Sequence, residues 1–189
     1  MESVVAIQKL TVAEFRELEF DDNDTSWYEL IHGEIVKKSA PSPLHQRISR
    51  RIEFILELFV TQKKVGEVFH APIDVFLDGY NSIQPDILFV PATNAAIITD
   101  DGIEGVPALV VEIVSPTSGY RDRVTKKLLY QQHGVQEYWL VDPLEELIEV
   151  YKLDNNLYTL LSAATIDEGK IESAVLPGLV VDVKTLFAV

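Results

Sequence analysis

Two acidic residues stand inside stretches that are otherwise mostly apolar. Asp86 lies in SIQPDILFV and Glu112 in ALVVEIVSP. An ionised carboxylate is costly to bury unless it is paired or bound to a metal. The neighbours of Glu112, namely Val110, Val111, Ile113 and Val114, offer it no partner. For a single such acid the simpler account is a nearby Arg, Lys or main-chain donor, or a proton taken up through burial. Two acids in successive core segments point to a shared site, because strands joined by one loop are natural sheet neighbours and their carboxylates can then converge. Oxygen donors suit a hard divalent cation, and Mg²⁺ takes one or two carboxylates together with water and a phosphate. Lys126, on the helix that follows the Glu112 segment, is the third member. It would bring positive charge to an attacking water or a phosphoryl oxygen. Tyr130 follows four residues later on the same helical face, whereas Lys127 is turned about a third of a revolution away.

The elements that must hold these groups are legible from periodicity. TVAEFRELEF is a short amphipathic helix with Thr11 as N-cap and Glu14 completing a capping box. WYELIHGEIVKK reads as a hairpin turning at His32-Gly33. SPLHQRISRRIEFILELFVTQKK is the longest helix, capped by Ser42 with Pro43 in its first position. Its Leu44, Ile48, Ile52, Ile55, Leu56 and Phe59 recur at helical spacing and should face the core. GEVFHAPIDVFLDG and SIQPDILFV read as two strands of a hairpin. Proline donates no ladder hydrogen bond, so Pro85 demands a local explanation. PATNAAIITDDGIEGVP reads as a loop, ALVVEIVSP as a strand buried on both faces, YRDRVTKKLLYQQHG as a helix ended by Gly134, and VQEYWLVDP as a further buried strand. Strand, helix, strand in that order implies a parallel pair. A hairpin about Asn155-Asn156 and short strands ending in LPGLVVDV complete the chain. The expectation is an α/β (α+β) domain spanning residues 1–189, with a mixed central sheet between helices, core order αβββαβ, and extra terminal hairpins.

Composition bounds the function. Hydrophobic residues make up 47% of the 189, which suits a folded globule. No cysteine is present, so thiolate metal sites and disulfides are excluded. No apolar run reaches membrane-span length, and MESVVAIQKLTVAEF lacks the features of a secretion leader, so a soluble cytoplasmic protein is expected. The net charge of −14 argues against a broadly basic nucleic-acid-binding surface. Residues 37–64 nonetheless carry a local charge of +5 and residues 121–127 one of +3. These segments form one phosphate-binding face if they meet in space; two solvated helix faces account for them equally well.

Taken in order, QPD, VEIVSP and RDRVTKKLLYQQHGVQEYWLVDP resemble the PD-(D/E)XK nuclease superfamily, and more closely its Uma-two family of restriction-endonuclease-like proteins. YELIHGEIV, PSPLHQRI, EVFHAPIDVFL and the late LPGL fit that family too, so the resemblance runs from about Tyr28 to Phe187. It implies a restriction-endonuclease-like core and a Mg²⁺- or Mn²⁺-dependent endodeoxyribonuclease. Asp86 would match the acid of PD and Glu112 the acid of the E-x-K half. The residue two beyond Glu112 is Val114, so the lysine is displaced to the helix at Lys126. Asp86, Glu112 and the main-chain carbonyl of Ile113 would hold the ion, and Lys126 would orient or help deprotonate the attacking water. Glu34 and Gln84 match further family positions and, with Tyr130 and His45, would line the site. Arg47, Arg50, Arg51, Arg121, Arg123 and Lys127 would contact the DNA backbone. No aromatic stacking platform is evident in the sequence. A homodimer would supply a second half of a DNA cleft. The competing expectation is a catalytically silent nuclease-fold protein acting as a binding or regulatory partner.

Overall fold

The chain crosses between two sheets at Ala71–Asp74 and again at Gln84–Asp86, and each crossing contains a proline. Pro85 therefore lies outside any ladder and sacrifices no sheet hydrogen bond. The computed structural model describes residues 9–20, 24, 26–116, 118–167 and 169–188. Residues 1–8, the start of the segment read as lacking a secretion leader, are outside the described residues.

In chain order the elements are α1 (Val12–Arg16), β1 (Trp27–Ile31), β2 (Glu34–Lys38), α2 (Pro43–Lys63), β3 (Gly66–His70), β4 (Val75–Asp78), β5 (Asn81–Ile83), β6 (Ile87–Pro91), β7 (Ile98–Thr99), β8 (Gly102–Ile103), β9 (Leu109–Ile113), α3 (Lys127–His133), β10 (Glu137–Asp142), β11 (Leu147–Asp154), β12 (Leu157–Thr165), β13 (Lys170–Glu172), β14 (Val180–Asp182) and α4 (Val183–Phe187). One six-stranded sheet has the order β12-β11-β10-β9-β6-β3. Within it β3, β6 and β9 form an antiparallel meander, and β10 joins β9 in parallel, with Glu137 opposite Leu109. The second six-stranded sheet runs β2-β1-β5-β4-β8-β7.

The helix–strand order of the core and its mixed sheet, a meander joined in parallel by β10, match the sequence reading, and the second sheet is an addition to it. The hairpin expected from GEVFHAPIDVFLDG and SIQPDILFV is cut in two. Its outer halves, β3 and β6, pair in the first sheet, while its inner halves, β4 and β5, pair in the second. The stretch read as a loop at 91–107 also carries a short 3₁₀ segment and the β7–β8 hairpin.

Each face of the first sheet is covered. Ile48, Ile52, Leu56 and Val60 of α2 pack with Ile87, Phe89, Val111 and Ile113 on one face, joined by Leu186 and Phe187 of α4. Leu44, expected in this stripe, is exposed in the first turn of the helix. On the other face Leu88, Val110 and Leu140 meet Leu129 and Tyr130 of α3 together with Ile31, Val75, Ile83 and Ile103 of the second sheet. Burying each such aliphatic side chain contributes about 1.5–3 kcal/mol. No helix among the described residues is long and apolar enough to cross a membrane.

Candidate active site

The alternation of strand side chains decides where the two acids point. Along β9, Leu109, Val111 and Ile113 face α2, so Glu112 shares the opposite face with Val110. Asp86 precedes Ile87, which pairs with Val111, so it stands one rung beyond that pair and on the face of Leu88. The two carboxylates thus share a face and line one cavity of about 580 Å³. Asp86 Oδ2 accepts the Ile113 N–H at 2.7 Å and bonds His45 Nε2 at 3.1 Å. The main-chain carbonyl of Asp86 accepts the Ala71 N–H at 3.0 Å.

Glu112 is met from α3. The chain approaches that helix through wide π-type turns over Arg121–Lys126, a local widening that recurs at functional sites. Lys126 Nζ donates to Glu112 Oε1 at 2.9 Å, and the Tyr130 hydroxyl donates to the same oxygen at 2.5 Å. The second acceptor of Lys126 is Glu29 Oε1, at 2.7 Å. Sequence reasoning did not single out Glu29, although WYELI shows the same signal as ALVVEIVSP, an acid within an apolar strand. Glu29 is fully buried on β1. Its Oε1 also accepts the Gln84 N–H at 2.9 Å and lies 3.8 Å from Lys38 Nζ, while its Oε2 is buried without a partner among the described residues. Lys38 in turn donates to the Gln84 carbonyl at 2.6 Å, and the Gln84 side chain donates to Asp74 at 3.0 Å.

Asp86, Glu112, Lys126, Gln84, His45 and Ile113 all line the cavity, whereas Tyr130 sits behind it and reaches it only through Glu112. Glu34 does not line it. It is exposed at the turn end of its hairpin, opposite Ile31, while Lys38 at the open end reaches inward. Of the cations expected on DNA, Arg50 and Arg121 line the cavity and Arg47 is exposed on α2. The other three are engaged within the protein. Arg51 donates to the Leu186 carbonyl at 2.7 Å, Arg123 pairs with Asp142, and Lys127 lies over the Tyr151 ring. Trp27, which opens the expected hairpin but is not among the expected site residues, stands at the cavity wall.

The electrostatics are those of crowded acids. Burial pushes Glu112 up to about 7, and the neighbouring charges of Asp122, Asp86 and Glu29 add to this against the pull of Lys126. Glu29 is equally buried, yet Lys126, Lys38 and the Gln84 N–H outweigh that burial and hold it below the usual carboxylate range. Burial likewise opposes ionisation of Asp86, but the hydrogen bond and charge of His45, with Lys38 and the Ile113 N–H, bring it down. Lys126 keeps its proton well above neutrality: burial disfavours its charge, but Glu112, Glu29 and Asp122 together outweigh it. Asp86 Oδ1 and Glu112 Oε2 accept no hydrogen bond among the described residues. No cluster of three or more His, Asp or Glu among the described residues has the arrangement of a metal cage. The donor set is two carboxylates with a main-chain carbonyl nearby, which fits a hard cation that keeps several waters.

Not every buried acid here bears on chemistry. Glu137 faces the opposite side of the sheet and takes N–H groups of Trp139, Ala174 and Val175, which accounts for it structurally.

The architecture is mixed α and β, with two mixed sheets and few helices. It superposes with a TM-score of 0.75 on the crystal structure of "a putative nuclease belonging to DUF820" from Anabaena variabilis, at 22% identity over 95% of this chain and 98% of that one. The sequence matches the Uma2 family, described as "Putative restriction endonuclease", over residues 12–184, and the chain belongs to that family. A relative from Synechocystis sp., the uncharacterised protein sll1609, is 26% identical over 89% of this chain and 96% of its own length.

Proposed function

We propose that the protein hydrolyses phosphodiester bonds in DNA with the aid of Mg²⁺ or Mn²⁺, held by Asp86, Glu112 and the Ile113 carbonyl. The observation that carries this reading is the pairing of two buried carboxylates on one sheet face, at one cavity, each with an oxygen left unbonded among the described residues. A bound cation would acidify a water and offset charge growing on the phosphate.

The protein's own groups have distinct tasks. Asp86 is oriented by the Ile113 N–H and by His45. Glu112, Glu29 and Asp122 favour the charged form of Lys126, so it would serve as a fixed positive charge that orients the attacking water or offsets charge on the phosphate. Tyr130 and Lys126 together fix Glu112 through one oxygen and leave the other for the cation. Arg50 and Arg121 at the cavity wall would meet phosphates on either side of the scissile one.

A second reading is favoured by one observation. Lys126 already lies between Glu29 and Glu112 and partly neutralises them, as it would in a nuclease-fold protein retained as a binding partner without hydrolysis. One experiment separates the two. Purified protein is incubated with plasmid and linear DNA in Mg²⁺ or Mn²⁺, beside Asp86→Asn and Glu112→Gln. Cleavage that either substitution lowers by at least about 100-fold, the scale seen when a charge-stabilising group is removed, supports hydrolysis. Equal inertness of all three proteins supports the binding role, and cleavage that survives both substitutions refutes the assignment of the site.

A further inference from the structure

Trp27 is out of keeping with the rest of the core. The protein has two tryptophans. Trp139 is buried and donates its indole N–H to Glu137 at 2.6 Å. Trp27 is 53% exposed, and its ring has no aromatic or cationic partner among the described residues. It opens β1, the strand that carries Glu29 two residues later on the same face. That spacing sets the indole about 7 Å along the strand from the base of the buried cluster. The indole lines the catalytic cavity and also a neighbouring recess of about 440 Å³, with Pro72 and Gln84 shared between the two.

We infer that Trp27 is a stacking platform for an unpaired base of a DNA strand whose phosphate descends into the cavity, so the substrate class is single-stranded or locally unpaired DNA in preference to continuous duplex. This rests on the hydrolytic reading for its scissile phosphate, and deepens it. Three observations carry it. First, every nucleobase has a π-face, and an exposed indole beside a phosphate-sized cationic wall is the arrangement by which single strands are held.

Second, the reacting groups are deep. Glu112 is 3% and Lys126 1% exposed, so a phosphate must leave the surface to reach them. A duplex keeps its phosphates on the outside of a stiff rod, whereas a single strand bends one inward while the adjacent base rests on the lip.

Third, the electrostatic footprint is short. Arg51, Arg123 and Lys127 are engaged inside the protein. Arg47, Arg50 and Arg121 are left facing outward or into the cavity, and the Nε of Arg121 has no hydrogen-bond partner among the described residues. Three is only about a third to a half of the roughly 6–10 phosphate contacts typical of salt-sensitive duplex binders.

The test follows binding of a labelled oligothymidylate and of the matching blunt duplex to the intact protein, in EDTA and in Mg²⁺. Intrinsic tryptophan emission and acrylamide quenching are read alongside. The single strand should quench Trp27 emission and shield it from acrylamide, and should bind more tightly than the duplex. Its log–log salt slope should be about −2, from three contacts at about −0.7 each. Trp27→Ala should weaken single-strand binding about 5- to 150-fold, the range for loss of one base–aromatic stack, and Trp27→Phe should restore part of it.

Duplex binding as tight as single-strand binding, unchanged affinity in Trp27→Ala, or unaltered wild-type emission would each overturn the inference. The emission arm uses wild-type protein, so it decides the matter even if the Ala variant does not fold. Trp27-dependent binding with no cleavage in any cation would leave the platform standing and remove the hydrolytic reading. Cutting of duplex at equal rates by wild type and Trp27→Ala would do the reverse.

Discussion

Lys126 and Glu29 form an ion pair at 2.7 Å between residues 97 positions apart, and both side chains are shut away from solvent. Such a pair has surrendered the hydration of both ions, so its formation adds little net stability, but removing one partner leaves the other stranded. Lys126→Met is expected to cost about 3–5 kcal/mol. Glu29→Gln in the same background should recover part of the loss, because the amide carbonyl still accepts the Gln84 N–H. Urea unfolding of the two single variants and the double variant measures the coupling. Strictly additive effects would mean that the two charges do not interact.

The proposed cation has a signature independent of catalysis. An ion that binds the folded chain at about 100 times its dissociation constant adds about 2.7 kcal/mol of stability. Mg²⁺ or Mn²⁺ should therefore raise the melting temperature of the wild-type protein, EDTA should reverse the rise, and Asp86→Asn should abolish it. A rise of equal size in the Asn variant would place the ion elsewhere.

Asp122, which lines the same cavity but is not itself a proposed ligand, supplies a pH test. It is buried beside Lys126, and burial raises its carboxyl above the ordinary 3.8, against the pull of Lys126 and a Ser118 hydrogen bond. Between 3.8 and the raised value the folded state holds more protons than the unfolded one, so stability falls as pH rises through that window. Asp122→Asn removes the titration. Its stability relative to wild type should climb with pH above 3.8 and then level off, as followed by denaturant midpoints across a pH series. A constant difference would show that Asp122 titrates normally.

Much of this arrangement was legible before any coordinates, because burying a charge is expensive and the sequence announces it. Asp86 and Glu112 stand out in apolar strands, and the i, i+4 spacing of Lys126 and Tyr130 aims both at one oxygen. The same rule would have found Glu29 in WYELI. Glu34, the acid that the family resemblance points to, stands on the same face of the hairpin at its exposed end. The division into two sheets was harder to read. Pro72 and Pro85 look like tolerated interruptions within strands, and only the partners of each half reveal that the chain has changed sheets. Trp27 was illegible for a different reason: a strand-opening tryptophan is usually core, and its exposure depends on where β1 ends relative to the cavity.

Asp86 is tied at both ends, its carbonyl to Ala71 and its carboxylate to the Ile113 N–H and His45. If the proposed cation binds there, a donor held so firmly would sacrifice almost no freedom on coordination, but could not adjust to different radii. Ions content with a few oxygens at fixed angles would fit such a seat better than calcium, which prefers a larger and more pliable shell. Discrimination between two ions of equal charge would then originate in the main chain of β9 and not in the identity of the coordinating atoms.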